Sequence, residues 1–479
     1  MNIISQNFKE LLKNKIKIII STNLYKYIDI FVDNLSLTDN NNFNYFNFIN
    51  LLDSSIKSYI LSIISSTFEE IDMQLRNSLE RKNRYYINKS NVPRSITTIF
   101  GTVYFKRTLF KSKLSNKYVF LLDKRFDLPK YDHYDSIIKS IAINNTFNTS
   151  QAQAARDISF ITNGLSYYID KDKVFNIPRQ SVYNWIKKWK VPNVTPKSIN
   201  TPETLYVMAD EKYIGSQDTD KDIMIKCFVT FEDVINISKN RNQLSNRFVF
   251  STCSKKPWKD FMDKIALRYD FSKIKNIALI GDGGKWIESG ISELRLDPCN
   301  LVKYYLCEFH FKQAIHHITT DKTKRKILIR IFKNYSKKKF INASNIVLKY
   351  HQEREKTIKQ KVEYIISNYS YIKNMLNFNI GSSMESHISH LIASFFASRP
   401  KGFSTKNIDK YLILNDYKNN NINIFNLYLK THNSKHSIKF NEDEFNFTLS
   451  NSSGIDNIPI LKYGHVIPEY KVLQSICHN

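Results

Sequence analysis

NIALIGDGGKWIESGISELRLDPCNLVKYYLCEFH, residues 276–310, sets a β-branched apolar run against a glycine-rich turn, and the turn carries one acid. The run 277–280 is too short for a helix and is bounded by Gly281, Gly283 and Gly284, so it reads as a buried strand. Asp282 then stands at a strand's carboxyl end, where open α/β sheets present their ligand crevice. The small residues around it would let a substrate approach. A plainer reading competes: Asp is a good N-cap and Asp-Gly an ordinary turn, so Asp282 could cap a helix over 285–294.

The chain on either side extends this pattern. TLYVMADEKYI (204–214), IMIKCFVTFEDVINI (223–237) and RFVFSTC (247–253) read as three successive strands, KPWKDFMDKIALRYD (256–270) as a helix, IALIGD as a fourth strand and NLVKYYL (300–306) as a fifth. Three strands, helix, strand, helix, strand predicts an α/β ribonuclease-H-like catalytic core. Asp210 ends the first strand and Asp282 the fourth, which are neighbours in such a core. Two carboxylates there can converge on hard divalent cations, which take oxygen ligands. Glu211 is a rival to Asp210, but strand alternation sends it to the opposite face. A third carboxylate should come from a later helix, and the candidate is Glu385 in GSSMESHISHLIASFFASRPKGFS (381–404), with Ser382 or Ser383 as cap and Ile388, Leu391, Ile392 and Phe395 on one side.

Between Asp282 and Glu385 lies too much chain for one helix. Residues 311–375 are helical in period, and over 311–373 sixteen Lys or Arg face four Asp or Glu, a balance of +12. We expect a basic all-α insertion that splits the core into 204–310 and 376–410. Its Lys324, Arg325, Lys337, Lys338 and Lys339 would meet phosphate.

An α+β region should precede the core. Residues 1–90 read as helical, with one long amphipathic helix capped by Asp53 or Ser54, and 91–135 as a small β-hairpin unit of strands 96–110 and 117–126. Lys106, Arg107, Lys111 and Lys113 make that unit basic. Residues 136–190 contain a helix-turn-helix-like pair, 149–160 and 176–190. Arg179, Gln180, Tyr183 and Asn184 would face base edges, and Lys187 and Lys188 phosphate. A Pro-rich linker, 191–203, follows, and 411–479 is a separate C-terminal region.

Composition agrees with an anionic polymer as partner: 71 Lys and Arg exceed 44 Asp and Glu in 479 residues, a net +27. Abundant Asn, Ile and Lys with only 11 Gly is also what AT-rich coding sequence yields, so charge by itself does not identify DNA. Five cysteines without a paired framework point to a reducing, cytoplasmic compartment. The most apolar N-terminal run, 15–31, is broken by Lys17, Asn23, Lys26 and Asp29, so neither a signal peptide nor a membrane span is expected.

Asp210 on a first strand, GDGGKW around Asp282, CEFH with Cys307 and His310, the basic insertion, and MESHISH followed by SRPKGFS together resemble the ISLre-type insertion-sequence transposases, DDE enzymes of a broadly Mutator-like pattern. The resemblance runs from TIFGTVYFKR to about residue 404. It implies that Asp210, Asp282 and Glu385 form a metal-binding acidic triad for two Mg²⁺ or Mn²⁺ ions, and that Cys307 and His310 are the family's C-x-x-H. It further implies metal-dependent phosphodiester hydrolysis and strand transfer on double-stranded DNA, at element ends and target, by a homo-oligomer assembled on DNA. The chain departs from the family at Met208, where Glu is more frequent, and at Phe395 and Phe403, near an expected Arg and Trp. Cys307 and His310 are too few for a structural zinc, which wants four ligands. His310 could orient a phosphate or a carboxylate; the competing reading is a buried Cys and a helix-start His. A non-transposing nuclease with the same core and a catalytically inactive DNA-binding remnant are the alternatives. Terminal inverted repeats bordered by short direct repeats would separate them from a transposase.

Overall fold

The computed structural model describes residues 6–36, 45–128, 130–169, 175–238, 241–295, 300–378, 388–396 and 403–432. Two long helices come first, α1 (Gln6–Ser36) and α2 (Tyr45–Asn77), joined side by side through Tyr27 on Tyr59 and Phe31 on Phe48, ring centroids 5.2 and 6.4 Å apart. α2 begins well before the expected cap at Asp53 or Ser54, because Tyr45, Phe46, Phe48 and Ile49 continue its apolar pattern. Asp53 instead pairs with Lys57 at 3.2 Å and accepts the Leu165 N–H at 3.4 Å. After a short helix, Leu79–Arg84, the chain turns into β1 (Tyr85–Thr98), β2 (Gly101–Ser112) and β3 (Tyr118–Phe120), an antiparallel sheet. The strand expected over 96–110 is therefore a hairpin with its turn at Ile99 and Phe100. Pro93, a left-handed Asn91 (φ 56°) and register shifts between Ile87 and Val92 hide β1 from a reading by alternation. Of the expected strand 117–126 only β3 is extended, and Leu121–Arg125 is helical.

Three helices follow and pack on one another: α3 (Ser136–Asn145), α4 (Gln151–Asn163) and α5 (Arg179–Lys188). The Ser150 hydroxyl caps α4 by accepting the Gln153 N–H at 3.1 Å, as Ser does well. Pro178 is the N-cap residue of α5 rather than part of its first turn. The central sheet comes next: β4 (Thr204–Ile214), β5 (Ile223–Phe231), an outlying hairpin β6 (Asp233–Ser238) and β7 (Arg241–Ser245), β8 (Phe248–Thr252), helix α6 (Pro257–Arg268), β9 (Asn276–Gly281) and β10 (Leu301–Leu306). The run expected as one strand over 223–237 is thus two, since β6 leaves the sheet to pair with β7. The five-stranded order is β10-β9-β4-β5-β8, with β4, β5 and β8 antiparallel and β9 and β10 parallel to β4. The helix expected over 285–294 is two single turns, Lys285–Glu288 and Gly290–Glu293. Gly290 lies against the Trp258 ring, where a Cβ would come within 2.1 Å.

Both faces of β4 are apolar, so it takes the middle of the sheet and is covered twice. Leu205, Val207 and Ala209 join Leu279, Leu306, Phe261 and Phe311 in one cluster. That cluster also takes in the insertion, α7 (Glu308–Ile318), α8 (Lys322–Asn334), α9 (Lys337–Lys349), α10 (Glu355–Ser367) and α11 (Tyr369–Leu376), through Phe332, Phe340, Ile358, Ile365 and Ile372. The insertion shares the core of the sheet. On the other face Met208, Val229 and Ile280 meet Ile138, Ile158, Val182 and Ile186 of α3–α5, together with Leu391, Ile392, Phe395 and Phe396. Ile388–Ala393 is wound as a π-helix. Glu385, with the expected caps Ser382 and Ser383, lies outside the described residues.

The last two helices are α12 (Ile408–Asn419) and α13 (Ile424–His432), so the helix beginning near residue 408 runs straight through the expected boundary at 410. α12 closes the edge strand β8, which would otherwise offer unpaired backbone groups. Asn420 accepts from the Val249 N–H at 2.7 Å and donates to its carbonyl at 2.8 Å, and Asp416 accepts from the Ser251 N–H at 2.7 Å and hydroxyl at 2.8 Å. Burial holds the Asp416 carboxyl well above the usual range, against the pull of Ser251. Among the described residues no helix is long and apolar enough to cross a membrane. We predict that Asp416→Ala, which strands two buried Ser251 donors at ~1–3 kcal/mol each, lowers the urea unfolding free energy far more than Asp416→Asn, which retains one acceptor. Equal losses in the two variants would show that packing alone holds α12 on β8.

Candidate functional site

The parallel pairing of β4 with β9 sets Met208 opposite Ile280. Two residues on from that last pair stand Asp210, within β4, and Asp282, one residue past the end of β9, close enough for the Asp282 charge to act on Asp210. Asp210 is only 7 % exposed, and its Oδ1 accepts the Glu211 N–H at 2.8 Å. Asp282 is half-buried and its Oδ1 accepts the Gly284 N–H at 2.8 Å. The other oxygen of each carboxylate accepts no hydrogen bond among the described residues. Burial pushes the Asp210 carboxyl up to about 7; the Glu211 N–H opposes this and the Asp282 charge reinforces it.

Cys307 and His310 complete the cluster. The Cys307 N–H donates to the Gly281 carbonyl at 2.7 Å, which carries the β9–β10 ladder one step further and sets Cys307 beside the Asp282 turn. Cys307 is the N-cap residue of α7, so His310 falls in that helix's first turns. Burial works against charge on His310, yet the Cys307 side chain and the Asp282 and Asp210 carboxylates outweigh it and raise its pKa. The His310 Nδ1 atom is buried with no hydrogen-bond partner among the described residues. Glu211 accepts the Trp286 indole N–H, as befits a residue on the opposite strand face. Asp282 caps no helix, since Gly284 is the N-cap residue of Lys285–Glu288.

The glycines of this turn do other work than opening it to substrate. A Cβ on Gly281 would lie 2.7 Å from the Tyr304 hydroxyl, and on Gly283, at φ +92°, 2.8 Å from the Asn368 side chain. Tyr304 accepts the Gly283 N–H at 3.0 Å, and the Tyr364 hydroxyl donates to the Asp282 carbonyl. Tyr304, Tyr364 and Asn368 thus clamp the turn, two of them from the insertion. No sequence signal marks them, because the contacts span 21 to 85 residues of chain.

A divalent cation fits this donor set in part. Two neighbouring carboxylates, each with an oxygen that accepts no hydrogen bond and in no ion pair among the described residues, suit a hard ion that takes oxygen ligands. Among the described residues no three His, Cys, Asp or Glu side chains form a metal-holding group, so a third ligand must come from elsewhere. The helix downstream of Glu385 packs on the Asp210 face through Leu391 and Ile392, and the Asn415 side chain donates to the Leu391 carbonyl at 2.7 Å. Phe395, a departure from the resembled family, is core: its ring stacks on Phe147 at 5.3 Å.

Of the residues expected to touch DNA, Arg179, Gln180, Lys187 and Lys188 are exposed. Tyr183 is turned inward, its hydroxyl accepting from Asn407 at 3.1 Å, and half-buried Asn184 accepts from Gln180 at 3.2 Å. These two are therefore committed within the chain, unlike the free base readers expected. Arg179, Gln180 and Tyr183 line a cleft of ≈ 490 Å³ against Gln217, Asn407 and Tyr411. Lys324, Lys337, Lys338 and Lys339 are exposed, whereas Arg325 is half-buried and donates to His316 Nδ1 at 2.8 Å.

Fold and site together define an α/β protein with a mixed five-stranded sheet and a carboxylate pair on two neighbouring parallel strands, Asp282 just past the end of β9 and Asp210 within β4, which continues to Ile214 rather than ending at Asp210 as expected. The chain belongs to the uncharacterised protein family UPF0236, whose model matches residues 39–421. Relatives in Caldanaerobacter subterraneus subsp. tengcongensis include UPF0236 protein TTE0402, 23 % identical over 436 residues that cover 86 % of this chain and 83 % of the relative. Another, 24 % identical over 442 residues covering 86 % of this chain and 87 % of the relative, carries eleven locus designations from TTE0033 to TTE2212 in its name.

Asp210 makes stability depend on pH in a definite direction. Its folded value of about 7 exceeds its unfolded one, so the folded state holds the extra proton between the two, and stability falls as pH rises through that window. Asp135, raised to about 6 by burial, and Asp416 act with the same sign. The measurement is therefore a difference: in chelator, wild type should lose more unfolding free energy than Asp210→Asn between pH 4 and about 7. Identical slopes would mean that Asp210 titrates normally.

Proposed function

We propose that this protein is a DNA transposase of the DDE kind, in which β4, β5, β8, β9 and β10 form a ribonuclease-H-like catalytic core and Asp210, Asp282 and Glu385 hold divalent metal. The observation that carries this reading is the placement of Asp210 in β4 beside Asp282 at the end of the neighbouring parallel β9, with Asp210 buried and in no Lys or Arg ion pair among the described residues. Three antiparallel strands followed by two parallel ones, with a helix downstream of Glu385 packed on the Asp210 face, support the same core. The relative with eleven locus designations fits it too, because multiplication within one genome is how mobile elements behave.

When bound, two Mg²⁺ or Mn²⁺ ions supply an activated attacking oxygen and charge stabilisation at the leaving one. The chain's own residues set the conditions. Asp210 and Asp282 would each contribute an oxygen that accepts no hydrogen bond among the described residues. Asp210 keeps a proton close to neutrality until a cation takes its place. His310, more readily protonated than an ordinary imidazole, offers a positive donor beside the carboxylates where a scissile phosphate would approach. Tyr304, Tyr364 and Asn368 hold the Asp282 turn still, which favours a fixed reaction geometry.

Duplex DNA is the substrate best matched to the surface. Lys337, Lys338 and Lys339 occupy the first turn of α9, and Lys324 the first turn of α8, where the helix dipole disfavours cations. Such an unfavourable placement is understandable where the lysines serve an external anion. Their exposed charge suits phosphate, while Arg179 and Gln180 at the start of α5 suit base edges.

Two experiments test this. Asp210→Asn, Asp282→Asn and Glu385→Gln should each abolish Mg²⁺-dependent cleavage and joining of duplex element ends while leaving duplex affinity intact. A variant that cleaves at the normal rate would remove its residue from the triad, with Glu211 next in line for Asp210. In salt titrations, neutralising Lys324, Lys337, Lys338 and Lys339 should flatten the dependence by ~0.9 per lost phosphate contact without changing end preference. Replacing Arg179 and Gln180 should instead cost preference, ~1–3 kcal/mol per bidentate contact. The reverse allocation would place sequence reading in the insertion.

A further inference from the structure

α1 carries two apolar stripes, and only one of them is used. Ile16, Ile19, Asn23, Tyr27 and Phe31 are half-buried along the side that meets α2. There Tyr27 and Phe31 contact Tyr59 and Phe48, the Ser62 hydroxyl bonds Asn23, and the Tyr59 hydroxyl donates to the Ile20 carbonyl at 3.3 Å. At 100° per residue the opposite side of the helix carries Ile18, Tyr25, Ile28 and Val32, which are 60, 70, 48 and 53 % exposed. Their separations are seven, three and four residues, the spacing of a coiled-coil seam. Among the described residues nothing covers them. A helix that is apolar on opposite sides is one that is buried on opposite sides, and a contiguous exposed apolar stripe of this kind marks an interaction surface.

We propose that this stripe joins two copies of the chain, α1 of one lying antiparallel on α1 of the other, so that two α1–α2 hairpins form a four-helix bundle. About Tyr25 the pattern is self-complementary at its middle and its ends, and Ile28 falls opposite Thr22. With Tyr25 on the two-fold axis, Ile18 of one copy, seven residues before it, faces Val32 of the other, seven residues after it. Such an isologous contact is the commonest way identical chains associate. Charge selects the antiparallel direction. Lys13, Lys15 and Lys17 stand in the N-terminal half of α1, whereas Asp29 and Asp33 stand in the C-terminal half with Lys26 as the one cation among them. Antiparallel packing lays the basic half over the acidic half; parallel packing would lay lysine on lysine. The surface lies in the N-terminal helices and uses none of the carboxylate cluster, so the proposal stands or falls apart from the catalytic reading.

The test uses the full-length chain without DNA or added metal. Sedimentation equilibrium should show a dimer. The variant Ile18→Glu, Tyr25→Glu, Ile28→Glu, Val32→Glu should dissociate at concentrations at least tenfold higher than wild type, with an unchanged melting temperature. Direction is read by cysteine pairs: Tyr25→Cys should form a disulfide-linked dimer under mild oxidation above the wild-type background. Val32→Cys alone should not link, yet it should link to Ile18→Cys when the two variants are mixed. A wild type that is monomeric overturns the proposal, and if its four-residue variant also melts lower, the stripe is covered by the chain's own residues 433–479. A dimer that survives the four substitutions uses another surface, and ready linking of Val32→Cys to itself refutes the antiparallel arrangement.

Discussion

The register between β4 and β9 is the constraint on which the site depends. Once Met208 lies opposite Ile280, the acids two residues on are neighbours, and one of them is buried. Burial raises the affinity of Asp210 for a proton, and the neighbouring Asp282 charge adds to it. Among the described residues neither carboxylate has a lysine or arginine partner to offset this. Under the proposed function a cation from outside would relieve the pair, which would separate the cluster from the buried ion pairs elsewhere in the chain. Asp123, by contrast, is shared by Arg94 and Arg107 and is satisfied from within.

The basic insertion has two roles that cannot be separated by excision. Its inner side supplies Phe332, Phe340, Ile358 and Ile365 to the core under β4 and β9, and Tyr364 and Asn368 to the turn that carries Asp282. Its outer side carries the lysines at the starts of α8 and α9. An element that touches the site on one side and presents positive charge on the other would give the proposed DNA contact and the carboxylate geometry a common support. The helices α3–α5 stand in the same relation to the opposite face through Ile138, Ile158, Val182 and Ile186.

Much of this was legible in the sequence for physical reasons. Strands β4, β8, β9 and β10 are short β-branched or aromatic runs ended by polar residues or glycine, so periodicity and punctuation agree. Asp210 and Asp282 follow from them directly. Where local rules conflict, the reading failed: Pro93 and Asn91 disguised β1, the polar run after Phe231 hid the split of β5 from β6, and Gly290 packed on Trp258 broke an expected helix into two turns. Tyr364 and Asn368 were beyond reach because their role exists only through a contact between segments far apart in the chain. The glycines of the GDGG turn were found but misread: their missing side chains make room for Tyr304 and Asn368 rather than for substrate. The hydrogen bond from Asn407 to the Tyr183 hydroxyl was likewise beyond reach, since only the fold brings the two together.

The claim at the centre of this account is that Asp210 and Asp282 share a divalent cation. Anomalous diffraction from crystals grown with Mn²⁺ measures this directly. The account predicts an anomalous peak within ~2.0–2.6 Å of an oxygen from each of the two carboxylates, the range of metal–oxygen bonds to hard divalent ions, and loss of the peak in Asp210→Asn crystals. Full Mn²⁺ occupancy elsewhere with none between Asp210 and Asp282, or a peak that persists undiminished in Asp210→Asn, would contradict it.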